Sequence, residues 1–133
     1  MDKKIEKLIR DSLSGDEGFM KKNNYVIITL EEELVEMEAK VTKSSMNPYG
    51  FAHGGFIFGL ADSCAGILVS ASGRKAVTTN ASVIYLKKVS GDKLVAKAKY
   101  LKKGKTISNV EVEMFDETES IVSIVTLEFC YIE

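Results

Sequence analysis

The chain has 133 residues, which is the usual length of one folded domain. Hydrophobic residues make up 45% and charged residues 28% of it, so the composition is that of a globular protein and not of a disordered one. Eighteen basic and nineteen acidic residues give a formal net charge of −1, which excludes binding of nucleic acid through net charge. Any anionic ligand must be bound by a local group of basic residues.

Residues 1–18 predict a short helical lead-in to the domain. Apolar residues recur at helical spacing before a glycine that can end a helix: Ile5, Leu8, Ile9, Leu13 and Gly15. The segment mixes both charge signs and lacks the apolar stretch of a secretory signal. We therefore expect a cytoplasmic protein with a single domain over residues 1–133.

Two strand-like segments follow, at 25–30 and 34–41, where apolar and β-branched residues flank an acidic turn. Residues 54–72 are apolar on every side and longer than a typical strand, which predicts a buried helix. A membrane span is the competing interpretation, and we discount it because Asp62 at its centre would cost at least about 2.5 kcal/mol.

Four more strand-like segments complete the chain, at 76–87, 93–101, 106–115 and 120–132. Glycine or polar clusters separate them, as tight antiparallel connections require. The sequence therefore predicts an α+β fold in which an antiparallel sheet of six strands wraps around one long central helix.

Asp62 is the only carboxylate in this predicted helix. A buried carboxylate is costly without a partner, so it indicates either an ion pair, for example with Arg74 or Lys75, or a functional role.

The cysteines, Cys64 and Cys130, are too few for a disulfide framework and have no metal-site spacing, so we interpret both as core residues. A thiol nucleophile formed by Cys64 and His53 is a weaker alternative, since no signature surrounds the cysteine.

The stretch "NPYGFAHGGFIFGLADSC" contains a specific pattern: Asn, any two residues, Gly, any two, His-Gly-Gly, then an acid on the helix. Its members are Asn47, Gly50, His53, Gly54, Gly55 and Asp62. With "TTNASVIYLKKV" and "LKKGKTISNVEVEMFDE", it closely resembles the PaaI-like hotdog-fold acyl-CoA thioesterases, from about Phe19 to the carboxy terminus. The resemblance implies a hotdog fold and hydrolysis of acyl-CoA, with coenzyme A as part of the substrate and no cofactor or metal.

The residues fit this chemistry. Attack on a thioester carbonyl places negative charge on oxygen, and a helix amino terminus such as that at Gly54 offers free N–H groups to it. Asn47 has a side-chain amide that could donate to the same oxygen, and His53 could hold the loop or contact the thioester. The resemblance assigns carbonyl polarisation to Gly54 and Asn47. We expect Gly55 to bind the substrate.

Asp62 could act as general base or as nucleophile, and the residues leave this choice open. Thr78 matches a position where the relatives carry a hydroxyl that orients the water or the acid. Asp62 is eight residues beyond Gly54, or about 12 Å along one helix, so one carbonyl cannot contact both. We expect a homodimer in which each site combines residues of two chains, and the resemblance implies the same. A dimer of dimers is also expected.

Lys102, Lys103 and Lys105 surround Gly104 in a predicted hairpin and could bind the phosphates of coenzyme A. The alternative is that they only keep the hairpin soluble. Arg74 and Lys75 are weaker candidates for the same role.

Phenylalanines at 51, 56 and 58 suggest an apolar tunnel for the acyl group, whose identity stays open.

Two other functions remain as alternatives. Hotdog hydratases and dehydratases also pair a histidine with a helix acid, but generally have a proline-rich segment after the histidine. This chain has one proline. A non-catalytic acyl-CoA-binding regulator usually carries an added DNA-binding helical domain, which the residues before the first strand are too few to form. We expect neither a nucleic acid nor a membrane partner.

Overall fold

The computed structural model describes residues 1–132. In chain order its elements are α1 (Lys3–Ser12), α2 (Phe19–Lys22), β1 (Tyr25–Leu30), β2 (Val35–Lys40), α3 (Gly54–Ser70), β3 (Ala76–Tyr85), β4 (Lys93–Lys102), β5 (Ile107–Asp116) and β6 (Ile121–Tyr131). A single turn of 3₁₀ helix, Lys43–Ser45, precedes α3. The predicted single domain ends at residue 133, which lies outside the described residues, and that boundary stays a prediction.

The strands form one antiparallel sheet in the order β1-β2-β4-β5-β6-β3. Helix α3 packs on one face of this sheet against β2, β3, β4, β5 and β6. The predicted α+β architecture, with a six-stranded sheet around one long helix and a short amino-terminal helix, is confirmed, and it is the arrangement of a hotdog fold.

Helix α3 is held in place by its burial. Leu60, Cys64 and Leu68 are fully buried, and burying a leucine side chain contributes about 1.5–3 kcal/mol. The free energy of this burial offsets the low helix propensity of the four glycines in α3, each of which costs roughly 1 kcal/mol relative to alanine. The helix begins at residue 54 as predicted and ends at Ser70, two residues earlier than predicted. Within residues 1–132, no helix combines the length and hydropathy needed to cross a membrane.

The amino-terminal segment contacts the rest of the domain at two places. In α1, Asp2 Oδ1 accepts hydrogen bonds from the first-turn N–H groups, and Ile5 reaches the turn at Gly73, where a Cβ would lie 2.9 Å from it. The sequence did not predict α2, because four residues are too few to show a helical period. Phe19 of α2 packs edge-on against Tyr25, which in turn contacts Phe56 of α3.

Strand β3 forms one edge of the sheet and pairs only with β6. It contains a bulge, because Thr78 pairs with Phe129 and Asn80 with Glu128, leaving Thr79 as an extra residue. Most of its residues are exposed, including Val77 and Ile84. β3 ends at Tyr85 and not at residue 87, because Leu86 and Lys87 both donate to Val122 O and leave the ladder.

Candidate active site

The loop before α3 is a compact closed turn. Met46 and Ala52 form an isolated antiparallel bridge, and His53 N donates to Ser45 O at 2.8 Å. Gly50 closes the turn with a φ of 85°, a conformation that favours glycine. The turn therefore brings the predicted site residue Asn47 to the same end of α3 as His53.

Asn47 uses one half of its side-chain amide to build the loop. Its Oδ1 accepts hydrogen bonds from the backbone N–H of Tyr49 at 3.0 Å and of Phe51 at 3.1 Å. In the part of the chain that the structure describes, Asn47 Nδ2 donates to no protein atom. Asn47 thus keeps a donor group for another molecule on a side chain that the loop holds in place.

His53 is the N-cap residue of α3. Its Nδ1 accepts a hydrogen bond from Gly55 N at 2.8 Å, so the ring proton lies on Nε2. This uses the N–H of Gly55, one of the predicted substrate-binding residues. Within residues 1–132, the N–H of Gly54 makes no hydrogen bond, so it is the open donor at this helix terminus.

Tyr85 contacts the same helix terminus, and the sequence did not identify it. Its hydroxyl donates to Gly54 O at 2.8 Å, and a Cβ at residue 54 would lie 3.2 Å from its ring. Burial raises the pKa of Tyr85, which keeps the hydroxyl a donor. A side chain at position 54 would therefore require the Tyr85 ring to shift by a few tenths of an ångström. The sequence shows an aromatic residue at the end of a strand, but only the fold shows which residue it faces.

The predicted pair of Asp62 and Thr78 is brought together within one chain. Thr78 Oγ1 donates to Asp62 Oδ1 at 2.7 Å. Asp62 is half-buried and Thr78 is exposed. Among the described side chains no cation lies within ion-pair distance of Asp62. Arg74, one of the two cations considered from the sequence as a partner of Asp62, instead stacks on the ring of Tyr131 and donates to Lys105 O.

The two groups of site residues stay apart in one chain. Gly54 and Asn47 lie at the start of α3, and Asp62 lies about 12 Å further along its axis. The least buried face of α3 runs between them and contains Gly55, Phe58, Asp62 and Gly66. This helix face lies beside the open edge strand β3, as the contact of Thr78 with Asp62 shows.

The hairpin lysines lie at the other end of α3. Tyr100, just before the hairpin, donates to Leu68 O near the end of that helix, about 21 Å along the axis from Gly54. Lys103 is 3.6 Å from Glu33 Oε1 and also contacts the Tyr100 ring. In one chain, therefore, Lys102, Lys103 and Lys105 are not brought together with Gly54.

A cavity of about 210 Å³ opens beside His53. It is lined by Phe19, Asn23, Ser44, Ser45, Met46, His53, Gly55 and Phe56. Of the three phenylalanines predicted to form an acyl tunnel, only Phe56 lines this cavity. Phe51 packs outside it, against Lys88.

Cys64 faces the sheet, away from this cavity. Its thiol is fully buried and donates to Val35 O and Ala96 O. Burial raises the pKa of Cys64 to about 12, so the thiolate needed for nucleophilic attack is disfavoured. The structure therefore supports the core role. Within residues 1–132, no three His, Cys, Asp or Glu side chains are placed to hold a metal ion.

Comparison with known proteins places this site in a family. The sequence profile of the thioesterase superfamily matches residues 49–123, which include His53, Asp62 and Thr78. The chain belongs to the thioesterase superfamily. Over 99 residues, this chain is 28% identical to a putative esterase of Archaeoglobus fulgidus. The aligned region covers 74% of this chain and 64% of that protein. The match thus spans just under two thirds of the length of the archaeal relative.

A further relative is similar both in sequence and in its solved structure. The acyl-coenzyme A thioesterase PaaI of Escherichia coli is 26% identical over 99 residues, covering 74% of this chain and 71% of that protein. The solved structure of E. coli PaaI superposes on this chain with a TM-score of 0.89 at 21% sequence identity. The match covers 98% of this chain and 95% of the PaaI chain. The resemblance to PaaI-like hotdog proteins is therefore confirmed.

A hypothetical thioesterase of Streptococcus pneumoniae was solved with coenzyme A. Its sequence is 32% identical to that of this chain. The structural match covers 82% of this chain and 89% of the S. pneumoniae chain, with a TM-score of 0.78. The same protein was also solved with an aspartate changed to alanine and, separately, with a threonine changed to alanine.

Proposed function

We propose that this protein hydrolyses the thioester of an acyl-CoA to a free acid and coenzyme A. The observation that carries the proposal is the pair of Asp62 and Thr78, a carboxylate held by a hydroxyl on the least buried face of an otherwise apolar helix. In the S. pneumoniae thioesterase, the aspartate and the threonine that were changed to alanine are sixteen residues apart, as Asp62 and Thr78 are here. Membership of the thioesterase superfamily supports the same chemistry.

The helix terminus supplies the electrophilic half of the site. A thioester carbonyl oxygen at this terminus would accept hydrogen bonds from Gly54 N–H and Asn47 Nδ2, the two donors that the fold leaves open. These donors stabilise the negative charge of the tetrahedral intermediate more than the neutral carbonyl. His53 fixes the helix start and presents Nε2–H near the cavity for the acyl group.

Asp62 supplies the other half. As a general base, its Oδ2 accepts a proton from water while the water oxygen bonds to the carbonyl carbon; the C–S bond then breaks and the thiolate of coenzyme A takes up a proton. As a nucleophile, Asp62 displaces the thiolate and forms an anhydride that water hydrolyses. Thr78 holds Oδ1 in both cases and leaves Oδ2 free to react. Both routes give the same products.

Each site combines two chains in this proposal. The 12 Å between Gly54 and Asp62 in one helix is bridged when a second copy places its Asp62 opposite Gly54 across a two-fold axis. The open edge of β3 and the half-buried face of α3 beside it support this interface, since an unpaired ten-residue edge strand readily pairs with another strand. A dimer of dimers stays a prediction.

The hairpin lysines fit the same arrangement. With the two helices antiparallel, the far end of α3 from the second chain lies beyond Gly54 of the first. Lys102, Lys103 and Lys105, from the chain that supplies Asp62, would then reach the phosphates of coenzyme A.

Both cysteines are free, which is typical of a reducing compartment and supports a cytoplasmic location.

Release of free thiol tests the function. Wild type and Asp62→Asn are compared on aromatic, short-chain and medium-chain acyl-CoAs, with Asp16→Asn, an exposed carboxylate in a loop, as the control. We expect Asp62→Asn to lose at least about 100-fold in kcat and the control to match wild type. Equal turnover by wild type and Asp62→Asn would overturn the assignment to Asp62. Acyl-CoA binding without turnover by wild type would favour the regulator, and hydration of an enoyl-CoA without thiol release would favour the hydratase.

A further inference from the structure

A basic side chain lies beside the loop that leads into α3. Lys88 Nζ is 4.6 Å from the centroid of the Phe51 ring, and Phe51 is three residues before Gly54. Lys88 is also three residues after Tyr85, whose hydroxyl bonds Gly54 O. Both chain segments therefore hold Lys88 near the helix terminus where the N–H of Gly54 is open.

Lys88 follows the acid-free end of β3. Residues 41–61 and 76–91 contain no aspartate or glutamate, and the acids that contact the following turn, Asp116 and Glu117, bond to Lys87, Ser90 and Asp92 and not to Lys88. The neighbouring Lys87 is paired with the buried carboxylate of Asp116 at 3.3 Å. Among the described side chains, Lys88 has no acidic partner and contacts only an aromatic ring. Its ammonium adds to the positive end of the α3 dipole and attracts anions to this end of the helix.

The same loop presents aromatic rings to solvent. Tyr49 is 82% exposed and Phe51 is 40% exposed, so both rings are accessible for stacking by a ligand. The loop is nevertheless fixed, because Asn47 Oδ1 accepts hydrogen bonds from the N–H of both residues. An ordered aromatic surface beside an unpaired cation suits a ligand with a flat ring and phosphates.

We propose that Lys88, Tyr49 and Phe51 bind the nucleotide part of coenzyme A. Lys88 contacts a phosphate, and the adenine stacks on an exposed aromatic face of the loop. This inference rests on the proposed function and adds to it a phosphate-binding residue from the chain that supplies Gly54. The cavity beside His53, which none of these three residues lines, is left for the acyl group.

The test compares two substrates that carry the same acyl group. One is the acyl-CoA that wild type hydrolyses fastest, and the other is its N-acetylcysteamine thioester, which lacks the nucleotide. Lys88→Ala is matched with Lys99→Ala, an exposed lysine on β4 that faces away from α3. We expect Lys88→Ala to raise KM for acyl-CoA about three- to tenfold with kcat unchanged, and to leave the truncated thioester unaffected. The increase should diminish at high salt.

Tyr49→Ser provides a second variant, and we expect it to raise KM for acyl-CoA alone. The proposal is wrong if Lys88→Ala has wild-type KM for acyl-CoA, if it affects both substrates equally, or if Lys99→Ala has the same effect. If wild type hydrolyses neither thioester, the proposed function fails and titration calorimetry with coenzyme A decides the inference separately. Binding that weakens in Lys88→Ala but not in Lys99→Ala supports the nucleotide site, whereas equal binding or none overturns it.

Discussion

Thr78 holds Asp62 through a hydrogen bond of 2.7 Å from Oγ1 to Oδ1, across the gap between edge strand β3 and helix α3. Both residues are accessible to a ligand, because Asp62 is half-buried and Thr78 exposed. The bond occupies one carboxylate oxygen, so the threonine fixes the orientation of the Asp62 carboxylate.

Replacing the hydroxyl of Thr78 should therefore slow catalysis. Thr78→Val keeps the shape but removes a hydrogen bond to a charged group, which is worth about 1.5–3 kcal/mol. We expect kcat to fall roughly 10- to 100-fold, while Thr78→Ser stays within about threefold of wild type. Steady-state thiol release measures both values. A kcat for Thr78→Val equal to that of wild type would show that the hydroxyl has no part in the reaction.

Mixed dimers test whether two chains share one site. Asn47→Ala and Asp62→Ala variants are each expected to be inactive, and a heterodimer of the two restores one intact site of its two. After random exchange of equal amounts, activity should return to about a quarter of the wild-type value. Differently tagged chains and native mass spectrometry confirm that heterodimers form. Heterodimers without activity would exclude the shared site.

The contact between Tyr85 and Gly54 predicts coupling in stability. Gly54→Ala places a Cβ 3.2 Å from the Tyr85 ring and should destabilise the fold. In a Tyr85→Ala background the same change should cost about 1 kcal/mol less, because the obstructing ring is gone. Urea unfolding of the four proteins measures this difference. Additive free energies would mean that the ring does not set the requirement for glycine.

Asp116 predicts how stability depends on pH. Burial alone would raise its pKa, but hydrogen bonds from Thr118 Oγ1 and the N–H groups of Ser90 and Thr118, together with Lys87, lower its pKa below the usual range. The lowered pKa means that the carboxylate stabilises the fold above the ordinary aspartate pKa of about 3.9 and loses this effect as pH falls below it.

Asp116→Asn should thus cost roughly 2 kcal/mol of unfolding free energy near neutral pH, with a difference from wild type that shrinks in acid. Urea unfolding from about pH 7 to pH 3 measures it. Asp16→Asn, at an exposed position, is the control and should show no such trend. A constant difference across the pH range would contradict the role of the charge.

The central helix and its motif could be predicted from the sequence because their signals are local. The apolar run from Gly54 and the spacing of Asn47, His53 and Asp62 depend on residues close in the chain. The strands were found for the same reason, with ends displaced by at most two residues. Strand β3 was predicted to run to residue 87, but Lys87 turns away to pair with Asp116, a contact between distant residues that no local pattern shows.

Contacts between distant residues could not be predicted in the site either. Tyr85 and Gly54 are 31 residues apart, and their contact depends on how β3 crosses the helix terminus. The pairing of Asp62 with Thr78 came from the family resemblance, while the residues alone also allowed an ion pair with Arg74 or Lys75. The hydrogen bonds that Asn47 Oδ1 accepts from its own loop could likewise be seen only once the backbone geometry was known.

The extra residue in β3 has a consequence for how one strand serves both parts of the site. Thr78 and Tyr85 are seven positions apart, an odd number, and in a regular strand such residues point to opposite faces. Thr79 changes the parity: Thr78 pairs with Phe129 and Tyr85 with Ser123, which are an even six positions apart on β6. Both side chains therefore face α3, and a chain without Thr79 could keep one of its two contacts with the helix but not both.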